Sequence, residues 1–275
     1  MINIEDKTVL VTGSTDGIGK LTAIQLAQAG ATVLMHGRDR EKCAAALKEI
    51  AKRTGSSKLR TYLADFSSLA EVRRMAEEIR NQESRLDILI NNAGIGSGKL
   101  SNKKRALSKD GHELRFAVNY LAPVLLTQLL LPTVRAAAPA RIVNVASIGQ
   151  KQIDLNNVML ERDYDPFDAY KQSKLALIMY TFELAQQLKP DRITVNCVHP
   201  GSLLNTKMVR ESIPFGFGSP KSGADVLFHL ACAAELDQVT GQYFDKKQPA
   251  QADIQAYNSD FRRKLWAYTE NLIAP

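Results

Sequence analysis

Three glycines between an apolar run and a helix-like run are the feature that most constrains the fold of this chain. Residues 12–19 read Thr-Gly-Ser-Thr-Asp-Gly-Ile-Gly and follow the short apolar run 7–12, which is typical of a buried parallel strand. Residues 17–29 then carry apolar side chains at helical spacing, and Gly30 is a fitting end for that helix. A strand, a glycine-rich turn and a helix in this order favour a dinucleotide site.

Each glycine has its own physical task in such a turn. Gly13 permits the tight turn, Gly17 lets a ligand approach the backbone, and Gly19 lets helix and strand pack closely. The first N–H groups of the helix would then face a pyrophosphate. The residues of this turn that we predict to bind a dinucleotide are Gly13, Ser14, Thr15, Asp16, Gly17, Ile18 and Gly19.

Short apolar runs alternate with helix-like runs along the rest of the chain. We predict further strands at residues 31–36, 59–64, 86–91, 141–147 and 193–199. Helices are predicted from a cap at Asp39 to about residue 52, after a cap at Ser67 or Ser68, and over 111–134 and 167–188. The alternation predicts an α/β fold with a Rossmann-type, doubly wound, mostly parallel sheet and helices on both faces. No linker or repeat interrupts residues 1–275, so we predict a single domain.

Composition narrows the classes of partner. The net charge is +7, but the basic residues are scattered rather than gathered in one patch, so we expect no nucleic-acid partner. No apolar run approaches the roughly 18 residues of a membrane helix, so we expect no membrane span. Cys43, Cys197 and Cys232 form no Cys-x-x-Cys pair and have no His at metal spacing. We therefore expect reduced thiols, a cytoplasmic protein and no metal site.

The end of the second predicted strand indicates which dinucleotide is bound. An acidic residue there would bond the ribose 2′-hydroxyl of NAD(H), but residues 35–38 contain none. Arg38 instead offers a forked cation for the 2′-phosphate of NADP(H). We therefore favour NADP(H) over NAD(H), although Asp16 and Asp39 lie nearby in sequence. The alternative is that Arg38 is a solvated loop residue.

Tyr170 and Lys174 are candidates for proton transfer. They are four residues apart in a predicted helix, so their side chains share one face. An ammonium beside the phenol would lower the tyrosine pKa from about 10 toward neutral pH. A tyrosine with such a pKa can act as a general acid or base. The same spacing also occurs on solvated helix faces, so its meaning depends on the other motifs.

Taken in order, the motifs resemble those of the short-chain dehydrogenase/reductase family along nearly the whole chain. They are the turn at 12–19, Asn91-Asn92-Ala93-Gly94, Asn119, Ser147, Tyr170 with Lys174, and His199-Pro200-Gly201. Within that family the chain is most similar to the retinol dehydrogenase-like group. The segments typical of that group are Asp154-Leu155-Asn156-Asn157, 169–176, Thr240-Gly241-Gln242-Tyr243-Phe244 and Leu265-Trp266.

The resemblance implies a nicotinamide-dependent oxidoreductase that transfers a hydride between NADP(H) and a carbonyl or alcohol in the same single domain. It implies that Tyr170 is the general acid for reduction or the base for oxidation, with Lys174 lowering its pKa and bonding the nicotinamide ribose. Ser147 would hold the substrate oxygen, and Asn119 would position a water that links Lys174 to solvent. The alternatives are that Asn119 satisfies helix backbone groups and that Ser147 is a simple turn residue.

The resemblance also implies cofactor contacts outside the glycine turn. They are Asp65, Phe66, Asn92, Ala93, Gly94, Tyr170, Lys174, Pro200, Gly201, Leu203 and Thr206. Asp65 would accept from the adenine amino group or cap a helix. The family often places Thr four residues after the glycine of His-Pro-Gly, but Asn205 holds that place here. Thr206 would then reflect a one-residue insertion.

Two segments are expected to shape the substrate site. Residues 148–169 lengthen the interval between Ser147 and Tyr170, and residues 202–222 read as a loop rich in Gly and Pro that contains Ile213, Phe215 and Phe217. We therefore expect a hydrophobic carbonyl or alcohol substrate, with a loop anchored to the core as the alternative. In the family the two long helices commonly form interfaces, so a homodimer or homotetramer is expected.

Two other functions remain open. The chain could be a non-catalytic NADP(H)-binding regulator on the same fold. It could also be an epimerase or dehydratase, although those enzymes usually show a Gly-x-x-Gly-x-x-Gly turn that this chain lacks.

Overall fold

The computed structural model describes residues 1–98, 104–212 and 216–274, and these form one eight-stranded sheet with surrounding helices. The strands are β1 (Thr8–Val11), β2 (Thr32–Gly37), β3 (Leu59–Leu63), β4 (Ile88–Asn91), β5 (Ala140–Val145), β6 (Ile193–His199), β7 (Tyr243–Asp245) and β8 (Gln248–Ala250). Their order is β3-β2-β1-β4-β5-β6-β7-β8, with parallel pairs throughout except for antiparallel β7 and β8. The chain order reverses between β1 and β4, which is where open α/β sheets bind ligands.

Helices cover the sheet. They are α1 (Gly17–Gln28), α2 (Arg40–Thr54), α3 (Leu69–Gln82), α4 (Leu114–Phe116), α5 (Ala122–Arg135), α6 (Pro166–Leu188), α7 (Lys207–Ser212), α8 (Pro220–Cys232) and α9 (Ser259–Ile273). A π-helical segment, Ala117–Leu121, joins α4 to α5 without a break. A 3₁₀ turn, Ile254–Tyr257, precedes α9.

Alternation along the strands produces two apolar layers. Leu10 of β1 belongs to the core that includes α3, α5 and α6, whereas Val9 and Val11 belong to the core that includes α1, α2 and α8. The reason is that successive side chains of a strand point to opposite faces of the sheet. Both faces are therefore buried under helices, and the predicted doubly wound fold class is confirmed. The single domain over residues 1–275 stays a prediction.

Each strand predicted from the sequence is present among β1 to β6, with ends shifted by a few residues. Asp39 caps α2 as predicted, and of the two candidate serines it is Ser68 that caps α3. The helix predicted over 111–134 instead begins at Leu114. Gly111 lies in a turn with φ of +83°, and the Glu113 side chain accepts a hydrogen bond from the Phe116 N–H, which starts the helix later.

The prediction that residues 202–222 form a loop is wrong in part. Helix α7 lies inside it, and α8 begins at Pro220, where the Ser219 side chain caps the first turn. Ile213 and Phe215, which supported the apolar-loop prediction, lie outside the described residues. Similarly, the segment 148–169 ends inside α6, because Asp165 caps that helix and Pro166 starts it. Strands β7 and β8 and helices α8 and α9 were not predicted.

Of the described helices, the continuous segment Leu114–Arg135 is long and apolar enough to cross a membrane, by length and composition alone. In this fold 83% of its most apolar window is buried inside the protein. Helix α5 thus packs as a core helix between the sheet and its neighbours.

Candidate active site

Two glycines of the turn between β1 and α1, Gly13 and Gly19, leave no room for a side chain. Gly13 has φ of +66°, and a Cβ there would lie 2.9 Å from the Cα of Ala93. Gly17 has φ of +56° at the first position of α1. A Cβ on Gly19 would lie 2.3 Å from the Gly13 carbonyl oxygen and 2.4 Å from Asn92 Nδ2. The predicted tasks of Gly13 and Gly19, a tight turn and close packing, agree with these distances.

Thr12 holds the ends of β1 and β4 together beside this turn. Its Oγ1 accepts hydrogen bonds from the N–H groups of Asn92 and Ala93, both at 2.9 Å. Asn92 Nδ2 in turn donates to the carbonyl oxygen of Thr12 at 2.8 Å. The predicted residues Asn92, Ala93 and Gly94 therefore lie at the switch point of the sheet, next to the glycine turn. No local pattern in the sequence pointed to this role of Thr12.

His36 was also missed, although it lies directly beneath the turn. Its Nδ1 accepts from the Gly13 N–H at 3.1 Å, and its Nε2 lies 3.0 Å from the Ala64 carbonyl oxygen. Its own N–H donates to Ser14 Oγ at 3.0 Å, and its ring stacks on Phe66 with centroids 4.2 Å apart. Burial lowers the pKa of His36 to about 4, so the ring is neutral at pH 7.

Two predicted acidic residues have structural partners. The Asp16 carboxylate accepts from the Gly17 N–H at 2.7 Å and so caps α1. Asp65 accepts from the Ser67 N–H at 3.0 Å and pairs with Lys109 at 3.3 Å. Burial opposes ionisation of Asp65, but these bonds outweigh it and lower its pKa.

Arg38 is exposed just after β2, at the same edge of the sheet as the glycine turn. Within the part of the chain that the structure describes, no carboxylate pairs with its guanidinium. Gly37 before it is crowded, since a Cβ there would lie 2.6 Å from Thr15 Cγ2. The Arg38 fork is thus available to an anion beyond the end of β2.

Ser147, Tyr170 and Lys174 come together at the carboxyl end of β5. Ser147 and Tyr170 both lie beside Gly149, since a Cβ there would be 3.5 Å from Ser147 Oγ and 3.9 Å from Tyr170 Cε1. Lys174 Nζ lies 5.9 Å from the centroid of the Tyr170 ring and donates to the Val145 carbonyl oxygen at 2.7 Å. Ser147 Oγ also accepts from the Gly149 N–H at 3.0 Å, which fixes the turn after β5. The Tyr170 ring therefore lies between the serine and the lysine, and the catalytic roles of the three residues stay a prediction.

The pKa of Tyr170 shifts in the direction opposite to the one predicted from the sequence. Burial raises the pKa of Tyr170, and the nearby Ser147 hydroxyl opposes that effect only in part. Burial also lowers the pKa of Lys174 to about 8. The lowered tyrosine pKa predicted from the spacing is thus absent from this structure, because desolvation disfavours the charged form of both groups.

Asn119 lies in the π-helical segment and links the loop after β4 to α6. Its Oδ1 accepts from the Ile95 N–H at 2.8 Å, and its Nδ2 donates to the Ile95 carbonyl oxygen at 3.0 Å and to Ser173 Oγ at 3.1 Å. Ser173 Oγ donates to the Tyr170 carbonyl oxygen at 2.7 Å. A Cβ on Gly94 would lie 3.0 Å from Asn119 Oδ1 and 3.6 Å from Lys174 Nζ, so this glycine leaves the cleft open above the lysine.

The remaining predicted cofactor residues follow β6. Gly201 has φ of +134°, and Leu203 is 40% exposed with φ of +49°. The Thr206 methyl group would lie 3.5 Å from a Cβ on Gly17, so Thr206 sits over the glycine turn. His199 Nε2 lies 3.0 Å from Ser202 Oγ, a contact that braces the Pro200-Gly201 turn. The structure thus brings Thr206 to the predicted phosphate site despite the shifted spacing.

The segment between Ser147 and α6 is anchored at its far side. Gln255 Oε1 accepts from the Ile153 N–H at 2.8 Å, and its Nε2 donates to the Ile153 carbonyl oxygen at 3.0 Å. Ile153 is 3% exposed, whereas Ile148 next to Ser147 is 59% exposed. An apolar side chain thus remains accessible beside the serine.

Known proteins are similar to this chain in sequence and in fold. The short chain dehydrogenase family profile matches residues 7–214. Retinol dehydrogenase 13 of Mus musculus is 36% identical over 288 residues, covering 98% of this chain and 84% of that protein. Retinol dehydrogenase 11 of Homo sapiens is 36% identical over 283 residues, covering 99% of this chain and 87% of that protein.

Solved structures agree with these relatives. An uncharacterized protein of Mycobacterium paratuberculosis superposes with a TM-score of 0.81 at 29% identity, covering 99% of this chain and 95% of that one. A short chain dehydrogenase of Shigella flexneri complexed with NADP has a TM-score of 0.72 at 27% identity, covering 90% and 99%. By its sequence, its doubly wound sheet and its motif order, this chain belongs to the short-chain dehydrogenase family.

Proposed function

We propose that the protein is an NADP(H)-dependent oxidoreductase that interconverts a hydrophobic carbonyl compound and its alcohol. The observation that carries the proposal is the convergence of Ser147, Tyr170 and Lys174 beside the switch point of the sheet. A proton donor, a hydroxyl for the substrate oxygen and a buried cation are the groups that carbonyl reduction needs from the protein.

The residues present fit a dinucleotide. Gly13, Gly17 and Gly94 keep side chains out of the cleft, and the first turn of α1 presents N–H groups to a phosphate. Arg38 would hold the 2′-phosphate. We propose that the other residues predicted from the sequence to contact the dinucleotide do so as well. When bound, NADP(H) would supply or accept the hydride, while the protein supplies orientation and electrostatics.

Each catalytic group has a proposed task. Tyr170 donates the proton to the substrate oxygen in reduction and accepts it in oxidation, and Ser147 Oγ hydrogen-bonds to that oxygen. Lys174 holds positive charge beneath the ring and favours the phenolate as the proton leaves. Asn119 fixes Ile95 and Ser173, and through them the cleft wall and the turn of α6 that carries Tyr170. We retain the water link from Asn119 to Lys174 as part of the proposal.

Apolar groups near the serine support a hydrophobic substrate. Ile148 follows Ser147 directly and is exposed, and Leu203 and Phe217 of the segment after β6 are 40% and 85% exposed. Burying such side chains against a ligand is favourable because it removes apolar surface from water. The names of the relatives, retinol dehydrogenases 11 and 13, support an apolar alcohol or aldehyde.

A screen of NADPH consumption against apolar aldehydes, ketones and quinones tests the proposal. For an accepted substrate, Tyr170→Phe should lower turnover by about 10²–10⁴-fold, because the general acid is lost. Tyr268→Phe on α9 serves as the control and should leave turnover unchanged. Near-full turnover by Tyr170→Phe would sink the assignment.

The same measurements separate the alternative. Tight NADPH binding by the wild-type protein without turnover of any carbonyl would favour a non-catalytic regulator.

A cytoplasmic location also stays a proposal, supported by three buried free cysteines. So does a homodimer or homotetramer.

A further inference from the structure

Helix α7 bridges the two sides of the cofactor cleft. Toward the loop after β4, Ser212 Oγ lies 3.2 Å from Ser97 Oγ, and Met208 Cγ would lie 3.0 Å from a Cβ on Gly96. Toward the glycine turn, Thr206 at the start of α7 lies over Gly17. Arg115 donates to the carbonyl oxygens of Gly96 and Ser97, which holds the loop side of this bridge in place.

A cavity of about 230 Å³ lies where α7 meets the glycine turn. Its lining includes four cationic side chains and two carboxylates: Lys20, Arg53, Lys207, Arg210, Asp16 and Glu49. Glu49 pairs with both Lys20 and Arg53, at 3.0 and 3.4 Å. Asp16 is engaged by the first N–H of α1.

Two cations of this cavity therefore lack a carboxylate partner. Among the described residues, neither Lys207 nor Arg210 has a carboxylate oxygen within ion-pair distance, and both are exposed. They are three residues apart on α7 and so share one face, while Met208 and Ser212 share the face toward the loop. The face with Lys207 and Arg210 is the one that lines the cavity beside Gly17.

We propose that Lys207 and Arg210 bind the pyrophosphate of the dinucleotide from above the glycine turn. This inference rests on the proposed function, because it adds two contacts to the dinucleotide proposed there; the cavity shares Asp16, Gly17 and Thr206 with the predicted cofactor residues. The first N–H groups of α1 would approach the phosphates from below, and α7 would bring two side-chain cations to the other side. A pyrophosphate would offset the net positive charge of the cavity lining.

Fluorescence titration with NADPH and with NADH tests this proposal directly. The double variant Lys207→Ala, Arg210→Ala should bind both dinucleotides at least about tenfold more weakly, since both carry the pyrophosphate. Its affinity should also depend less steeply on salt. Arg263→Ala removes an exposed cation of α9 that does not line this cavity, and it should change neither affinity. Arg38→Ala should weaken NADPH alone.

The outcomes separate the inference from the function that it deepens. Unchanged affinity of the double variant for both dinucleotides, or a loss confined to NADPH, would overturn the pyrophosphate assignment. If the double variant Lys207→Arg, Arg210→Lys bound both dinucleotides more tightly than the double alanine variant, the assignment would be supported. Charge rather than packing would then account for the affinity. Failure of the wild-type protein to bind either dinucleotide would refute the proposed function and the inference together. Thermal melting of each variant shows whether the fold is retained.

Discussion

Burial of Lys174 is a cost that the site bears at neutral pH. The ammonium lies in the core with one hydrogen bond, to the Val145 carbonyl oxygen, and its pKa falls to about 8. In the unfolded chain its pKa would be about 10.4. Because the folded pKa is the lower one, the unfolded chain binds more protons between these values, and stability rises with pH across that window.

Lys174→Met should therefore stabilise the protein at pH 7. Removing the buried charge gains about 3 kcal/mol, and losing the bond to the Val145 carbonyl costs about 1 kcal/mol, leaving about 2 kcal/mol. That advantage should shrink between pH 8 and about pH 10, as the wild-type lysine loses its proton. Urea unfolding of both proteins at several pH values measures it. A difference that is constant with pH would contradict the buried charge.

The residues that gather at the candidate site could be predicted, but their pKa values could not. Motif order identified Ser147, Tyr170 and Lys174, and the structure places them together. Their pKa values depend on burial by residues distant in sequence, so spacing alone predicted the wrong direction for Tyr170. His36 was missed for the same reason, since only the fold brings its ring beneath Gly13.

At the scale of elements, the N-terminus of α1 depends on Asp16. The sequence predicted Asp16 as a cofactor residue, and the structure shows its carboxylate on the Gly17 N–H at 2.7 Å. Asp16→Ala should lower the free energy of unfolding by about 1 kcal/mol, because a cap acceptor is lost. Asp16→Asn keeps an acceptor oxygen and should stay near wild type. Chemical denaturation distinguishes them, and equal losses in both variants would argue that charge rather than capping matters.

Long elements with clear ends were predictable, and short ones were not. The cap at Asp39 and the end of the helix predicted over 167–188 were found from the sequence because such end signals act locally. Strands β7 and β8 have three residues each, and their pairing depends on β6, so no local pattern revealed them. Helix α7 was read as loop because Gly and Pro dominate the residues that follow it.

At the scale of the whole molecule, α9 covers surfaces that the sequence suggested for self-association. Tyr120 OH of the π-helical segment lies 2.8 Å from Thr269 Oγ1, and the Tyr180 ring of α6 stacks on Trp266 at 5.7 Å. In α6, residues 172–182 are all buried within the chain. The expected homodimer or homotetramer thus stays a proposal, but with little of α6 available to form its interface.

Undocking α9 should expose this covered surface. Leu265 is 1% exposed in the core beneath α9, so Leu265→Glu would bury an unpaired carboxylate unless the helix detaches. We expect α9 to detach, because a single outer helix can unfold locally while the sheet stays intact. The newly exposed apolar side chains should then drive association. Light scattering across a range of concentrations should show a higher mass for Leu265→Glu than for wild type. The neighbouring exposed change Lys264→Glu should leave the mass unchanged. An equal mass for wild type and Leu265→Glu, with no added binding of an apolar dye, would show that α9 does not shield an associating surface.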